Sequence, residues 1–429
     1  MPMTQEERHQ IRELIRQEVV LATGCTEPGA VALCVAKARE TLGGMPDKVD
    51  ILLSKNVFKN AMGVGIPGTG MIGLPIAVAM AVTAGDSRRQ LEVLTLPEDK
   101  VEEAKQWLDA HSDAVGIGVK ETDDKLYIEC TCHKGDSYAK AVISKRHVNF
   151  VLIEKNGETL LDAQGCVDKS NDDCKGKSLA DCLTARMVYD YATTAPIEEL
   201  EFIKETVTYN HAASEEGLHG YGLNVGRILM ENADGDIVHT VVARTVAASD
   251  ARMDGCTLPI YSNSGSGNQG IACTLPIYEY GKAKGCSDES IVRALIMSHL
   301  TSIYIKRGIG RLSALCGLVN ASIGVASGMV YLHGGGFEQV CYAIKNMINT
   351  VAGMVCDGAK PSCALKMSTG LYSAFVSTEL ACQNRVVDAS DGLSERDIDS
   401  SIHNLGRLGH DGMNQTDDMV LDIMTHKQM

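Results

Sequence analysis

Aromatic side chains are scarce, with 5 Phe and 1 Trp in 429 residues. A core without them has to be filled by small and aliphatic side chains, which lets backbones approach closely. Positive charge is also in deficit. The 40 Lys and Arg face 55 Asp and Glu, a net charge of −15, so the chain is a poor counterion for phosphate backbones or anionic lipid. Nucleic acid and membrane surfaces are therefore not expected partners. The longest apolar run, residues 71–84, contains Pro75 and is too short to span a bilayer. The polar start, Met1-Pro-Met-Thr-Gln-Glu-Glu-Arg-His, has no apolar segment behind a basic beginning, so a cytoplasmic location is expected. No internal repeat or low-complexity tail is present.

What the chain does have is 42 Gly, 18 Met and 15 Cys. In a reducing compartment the cysteines are not read as disulfides, which leaves metal binding, catalysis or inert burial. The length allows two or three domains, or one large domain with an insertion. Residues 5–21 read as an amphipathic helix, followed by a turn at Thr23-Gly24-Cys25-Thr26-Glu27-Pro28 and a small-residue helix to residue 42. A short strand at 49–53 and a glycine-dense loop at 63–73 come next. From residue 91 the texture becomes β-α-β-β-β: strands at 91–95, 115–121, 126–133 and 137–154 (the last broken near Arg146), with a helix at 98–111. A polar connection at 162–173 leads into a mainly helical remainder, in which residues 287–385 read as helices packed through Ala, Gly and Ser. The expected fold class is α+β. A mainly helical catalytic domain, residues 1–88 and 176–429, is interrupted by a small α+β insertion at 89–175.

Several constellations could carry chemistry. Gly63, Gly65 and Gly68 spell G-x-G-x-x-G, but no strand runs directly into them and Pro67 sits inside. A substrate-cradling or tight-packing loop fits better than a dinucleotide site. Cys130 and Cys132 fall on one face of a strand. Cys356 and Cys363 flank a Gly/Pro loop, with Cys316 forty residues earlier. Three such thiolates suit a metal or iron–sulfur centre with an open position, the alternative being buried thiols. Cys25 precedes a helix, where the dipole would lower its pKa and make it a nucleophile or proton acceptor; a buried turn cysteine is the alternative. The run Ser262 to Gly270 offers hydroxyls, amides and backbone N–H groups suited to a carboxylate or phosphate, or is a plain linker. Lys366, beside the cysteine loop, could suggest a Schiff base with pyridoxal phosphate, but no phosphate cup accompanies it.

Taken together, Thr23-Gly-Cys25-Thr-Glu-Pro-Gly, Gly65-Ile-Pro-Gly-Thr-Gly, Ser264-Gly-Ser-Gly-Asn268, Cys316 and Cys356-Asp-Gly-x-Lys-x-x-Cys363 resemble the L-cysteine desulfidases. An uncharacterised sister family shares these motifs. The C-terminal half resembles the α-chain of iron–sulfur L-serine dehydratases, and the closing Gly412-Met-x-x-Thr416-Asp417 fits too. The resemblance implies a [4Fe–4S] cluster held by Cys316, Cys356 and Cys363, with Cys25 as catalytic base. It also implies a substrate-facing loop at Ser264, Ser266 and Asn268, to which Gly68 and Thr69 are added as expected substrate contacts. The late cysteines stand closer together than in serine dehydratases, and the Ser-His-Thr motif of those enzymes has no clear counterpart here. Both points favour the desulfidase branch. The expected activity is therefore conversion of L-cysteine and water to pyruvate, ammonia and hydrogen sulfide by α,β-elimination, by a homo-oligomer expected to be a dimer. The alternatives are a serine dehydratase, a non-catalytic cluster protein such as a redox sensor, and a cluster-free thiol hydrolase using Cys25.

Overall fold

Thr4 opens the first helix, α1 (Gln5–Glu18), in a reciprocal cap with Glu7 that satisfies two otherwise orphaned backbone groups. Ile11, Leu14 and Ile15 lie on its buried face. The structure, a computed structural model, describes residues 3–163 and 182–426. A two-residue strand β1 (Leu21–Ala22) leads to α2 (Thr26–Leu42), β2 (Lys48–Leu53), α3 (Lys55–Ala61), α4 (Leu74–Ala84) and α5 (Glu98–Ala110). Five strands follow: β3 (Val115–Val119), β4 (Tyr127–Lys134), β5 (Ser137–Ser144), β6 (Phe150–Lys155) and β7 (Glu158–Asp162).

These strands and β2 form one mixed sheet in the order β3-β2-β4-β5-β6-β7, in which only the β2–β3 pair is parallel. Alternation sets its buried face. Val49, Ile51 and Leu53 point inward, as do Cys130 and Cys132 on β4. Helix α2 covers β4 and β5 and is itself covered by α4, so it is buried almost all round. Its alanines make that burial possible, and the Cys34 thiol donates to Ala141 O at 3.3 Å.

Two sequence expectations change here and one holds. Residues 91–95 are not a strand; a 3-10 turn at Ser87–Glu92 takes the chain past α2, where Leu91 packs against Gly29. The stretch 137–154 is broken near Arg146 as expected, into two strands separated by a turn at Lys145, whose φ is +68°. The strand at 48–53, grouped by sequence with the first helical segment, is an interior strand of the sheet. Strand β7 was not foreseen. Of the connection expected at 162–173, residues 164–173 lie outside the described residues.

The second half is helical: α6 (Ala185–Thr194), α7 (Lys204–Gly217), α8 (Val225–Glu231), α9 (Ile237–Met253), then strand β8 (Ile260–Tyr261). After it come α10 (Gly267–Ala283), α11 (Asp288–Ile309), α12 (Gly317–Leu332), α13 (Phe337–Val351), α14 (Cys363–Cys382), α15 (Ile398–Arg407) and α16 (Asn414–Thr425). The small-residue packing expected from composition is realised where α12 crosses α11. A Cβ at position 324 would lie 2.3 Å from Ser298 O, and one at 328 would lie 2.7 Å from Ala294 O. The fold is thus α+β and mainly helical. Among the described residues, no helix is long and apolar enough to cross a membrane. Two apolar cores result, one among the helices and one beneath the sheet. Cys25, Met253, Leu312 and Cys363 belong to the sheet-side core and Cys316 to the helical one, so the candidate site lies on the seam.

Candidate active site

Strand β1 pairs antiparallel with β8, Leu21 opposite Tyr261 and Ala22 opposite Ile260. Two further bonds extend the ribbon, Ser262 N to Val20 O and Ser264 N to Glu18 O, each 2.8 Å. This pairing brings the Cys25 turn against the Ser264 loop, and Thr26 Oγ1 donates to Gly265 O at 3.1 Å. A second short bridge joins Leu315 to Val355. In it Cys316 N donates to Met354 O at 3.0 Å and Cys356 N to Ala314 O at 2.7 Å, which sets Cys316 beside Cys356. The chain then turns at Gly358, φ +95°, where a Cβ would stand 2.2 Å from Lys59 O, and reaches Cys363 at the first position of α14.

One cavity of about 110 Å³ collects these pieces. Cys25, Ser264, Ser266, Asn268, Cys316, Cys356 and Cys363 all line it, joined by Glu27, Asn60, His147, Arg252, Gln269, Lys306 and Arg311. That space holds a few water molecules or a small metabolite. Four helices begin on its wall: α2 after Cys25, α10 after Ser266, α12 after Cys316 and α14 at Cys363. Their aligned dipoles favour negative charge there, although the opening N–H groups of α14 are already taken by Lys360 O, Pro361 O and Ser362 O. Ser264, Lys306 and Arg311 also line a wider open cleft beside α1 and α15.

Gly68 and Thr69 are not part of the lining. Thr69 Oγ1 bonds to Ile66 O and Met71 O, Gly68 N donates to Gly255 O, and Pro67 packs on Gly24, whose Cβ would stand 2.7 Å from Pro67 Cγ. The glycine loop is therefore the tight-packing brace of the Cys25 turn. Lys366 is engaged with Asp357.

The electrostatics of Cys25 oppose the sequence expectation. Burial pushes its thiol up and the Glu27 charge adds to this, with Arg252 acting the other way. The helix terminus does not win, because desolvation of a thiolate outweighs a terminal dipole. Cys25 Sγ instead donates to Glu27 Oε2 at 3.1 Å. Burial alone would raise the Glu27 carboxyl, but His147 at 4.0 Å and bonds from Cys25, Asn60 and Thr26 hold it below its ordinary value. Around the other cysteines, Cys316 shares a hydrogen bond with Cys356. That bond, together with Lys59, the Gly358 N–H and Lys366, draws the Cys356 thiol down against the effect of burial. Burial takes the ammonium of Lys306 down to about 8, while Cys356, Cys316 and Glu27 pull it back.

Among the described residues, no group of three or more His, Cys, Asp or Glu side chains is arranged to hold a single metal ion. A cubane cluster asks for something else, since each thiolate takes a different iron. Three thiols on one cavity wall, one of them drawn toward the thiolate by its bond with Cys316 and by nearby lysines, are a donor set that fits it.

Sequence reasoning missed Glu27, Asn60, His147, Arg252, Gln269, Lys306 and Arg311. Glu27 stood inside a quoted motif two residues from Cys25. Arg252 and Lys306 each carry a charge within a largely apolar helical run, which is a weak signal.

Comparison with known proteins identifies the family. The family profile of the serine dehydratase alpha chain matches residues 88–422. A UPF0597 protein of Bacteroides fragilis is 52% identical, the alignment covering 99% of this chain and 100% of that one. A UPF0597 protein of Phocaeicola vulgatus is 50% identical over 98% of each, and one of Aeromonas hydrophila is 43% identical over 97% of this chain and 95% of its own. The chain belongs to the serine dehydratase alpha chain family, on the branch whose members carry the name UPF0597.

Proposed function

We propose that the protein is a [4Fe–4S]-dependent lyase that converts L-cysteine and water to pyruvate, ammonia and hydrogen sulfide. The observation that supports this most is the shared cavity, where a thiol bonded to a carboxylate (Cys25 and Glu27) faces the same small space as Cys316, Cys356 and Cys363.

Elimination needs an unacidic α-proton removed and a poor leaving group expelled. The three late cysteines would hold the cluster, which when bound supplies Lewis-acid chemistry at an iron lacking a protein thiolate. The chain itself handles the proton. Cys25 Sγ is the acceptor of the α-proton, and Glu27 Oε2, at the end of the 3.1 Å bond, takes the proton that the thiol must give up. Because the resting charges hold that proton on sulfur, the transfer belongs to the substrate-bound state. The Cα electron pair forms the Cα–Cβ double bond as the Cβ–S bond breaks, releasing HS⁻. Aminoacrylate tautomerises and takes up water to give pyruvate and ammonia.

A second reading, L-serine dehydration with hydroxide in place of HS⁻, is favoured by the family profile. One experiment tests both. Protein is purified and reconstituted anaerobically, iron and acid-labile sulfide are counted, and product formation from L-cysteine and L-serine is compared. About four irons per chain with pyruvate and sulfide from L-cysteine supports the first reading. Greater kcat/KM on L-serine selects the second. An iron-free, inactive protein overturns both.

A further inference from the structure

Arg252 ends α9 inside the protein, 6% exposed. A guanidinium is charged at every accessible pH, so burying one is expensive unless an anion answers it. None does: among the described residues Arg252 takes part in no ion pair. Its protein contacts are weak, Nη1 to Asn268 Oδ1 at 3.3 Å and to Met253 Sδ at 4.0 Å. Its Nε is buried without any hydrogen-bond partner.

The surroundings keep that guanidinium in place on the cavity wall. Gly267 leaves it room, since a Cβ there would lie 2.2 Å from Nε and 2.6 Å from Cζ. Asn268 fixes one arm. Of the other cations lining the cavity, Arg311 is already paired with Glu18 at 3.2 Å. Lys306 interacts with Cys316 and Cys356, whereas the charge of Arg252 is felt by Cys25.

We propose that Arg252 binds the α-carboxylate of the substrate, with Asn268 holding the guanidinium in register. The inference rests on the lyase reading and deepens it. Carboxylate and acidic hydrogen share one carbon, so an anchor beside Cys25 delivers the Cα–H to the group that removes it. The planar fork matches a carboxylate with two parallel bonds, and the helix starts of α2 and α10 add N–H donors around the same charge. Substrates are thereby restricted to free α-carboxylates; esters, amides and the decarboxylated amine are excluded.

The test uses anaerobically reconstituted full-length protein and two readouts, steady-state kinetics and thermal denaturation. The binding probes are L-alanine and pyruvate, against alaninamide and cysteamine, which lack the carboxylate. In the wild type the two carboxylates raise Tm by about 2 °C near saturation and the two controls do not. Arg252→Gln abolishes that rise and increases KM about 10²-fold, with a smaller change in kcat. Arg252→Lys, which keeps the charge and should fold where the glutamine variant fails, retains part of the rise and raises KM about tenfold. Asn268→Ala shows an intermediate KM. Unchanged KM or unchanged carboxylate-dependent stabilisation in Arg252→Gln overturns the assignment, as does a wild type that responds equally to acids and controls. The two readings fail separately. No turnover with Arg252-dependent carboxylate binding sinks the elimination alone, and turnover with unaltered KM in Arg252→Gln sinks the anchor alone.

Discussion

The thiol of Cys25 donates to Glu27 Oε2 at 3.1 Å, and the carboxylate it meets is buried and also bonded by Thr26 and Asn60. A proton path between the two side chains therefore exists before any substrate arrives. Glu27 is also one of the groups that keep the thiol protonated. Replacing it with Gln removes that push, so alkylation of Cys25 by iodoacetamide should become measurable at lower pH. At the same time kcat should fall by about 10²–10⁴ through loss of the acceptor. Mass spectrometry of labelled protein across a pH series checks the first effect and initial rates the second. An alkylation profile that stays put would show that Glu27 does not control the thiol.

Serine at Cys316, Cys356 or Cys363 should lower iron to less than half the wild-type content after identical anaerobic reconstitution. Cys25→Ser should retain full iron while losing turnover. Iron and sulfide analysis of the four variants separates the two roles. Equal iron loss at Cys25 would place that residue among the ligands instead.

Behind the Ser264 loop lies a fully buried chain of bonds. Ser264 Oγ donates to Asn263 Oδ1 at 2.8 Å, Asn263 Nδ2 to His299 Nδ1 at 3.1 Å, and the other ring nitrogen meets Thr274 Oγ1 at 3.0 Å. Since an amide nitrogen can only donate, Nδ1 is the acceptor and Nε2 carries the hydrogen. Burial holds this imidazole neutral, its pKa down at about 3. His299→Phe removes the ring acceptor of the Asn263 amide, which keeps only the residue 299 carbonyl, and one of the partners of the Thr274 hydroxyl, which keeps Gly270 O and Asn210 Nδ2, at a cost of about 1–3 kcal/mol in all. Urea denaturation should register that loss, and His299→Gln should recover part of it.

Burial raises the Asp250 carboxyl from 3.8 to about 6, with the Gly226 and Val225 N–H groups opposing. Between those values the folded protein binds a proton that the unfolded chain does not. The stabilisation from this group is complete below pH 3.8 and is lost as pH rises through 6. Asp250→Asn removes this dependence, so its stability relative to wild type should increase between pH 4 and pH 7. Denaturation midpoints at pH 5, 6 and 7 check the slope; parallel profiles would contradict it.

How much of this could be read in the residues depends on the range of the interaction. The thiols at 316, 356 and 363, the Cys25 turn and the Ser264 loop carry local signatures, and all line the same cavity. The small-residue helices were legible because composition dictates how closely they can pack. Three kinds of information were not. The place of β2 inside the sheet depends on strand order, which no local pattern encodes. The protonation of Cys25 follows from desolvation and a buried carboxylate, both of which need the folded surroundings. The cations Arg252, Lys306 and Arg311 read as ordinary helix or loop charges until three distant segments close around them. The glycine loop at 63–73 left two readings open in the sequence, and only the folded surroundings show it packed against Gly24 and Asp254.

The ribbon between β1 and β8 also has a bearing on biosynthesis. It joins segments so far apart that the Thr26 to Gly265 bond spans 239 positions, and the cysteine loop at 356–363 is translated later still. On the ribosome, the Cys25 turn must therefore wait through most of translation before its partners emerge. A nascent chain halted before residue 316 would hold the Cys25 thiol and none of the three late ones. The set of cavity thiols is thereby completed only when the polypeptide is nearly whole, so the site cannot assemble on a half-made chain.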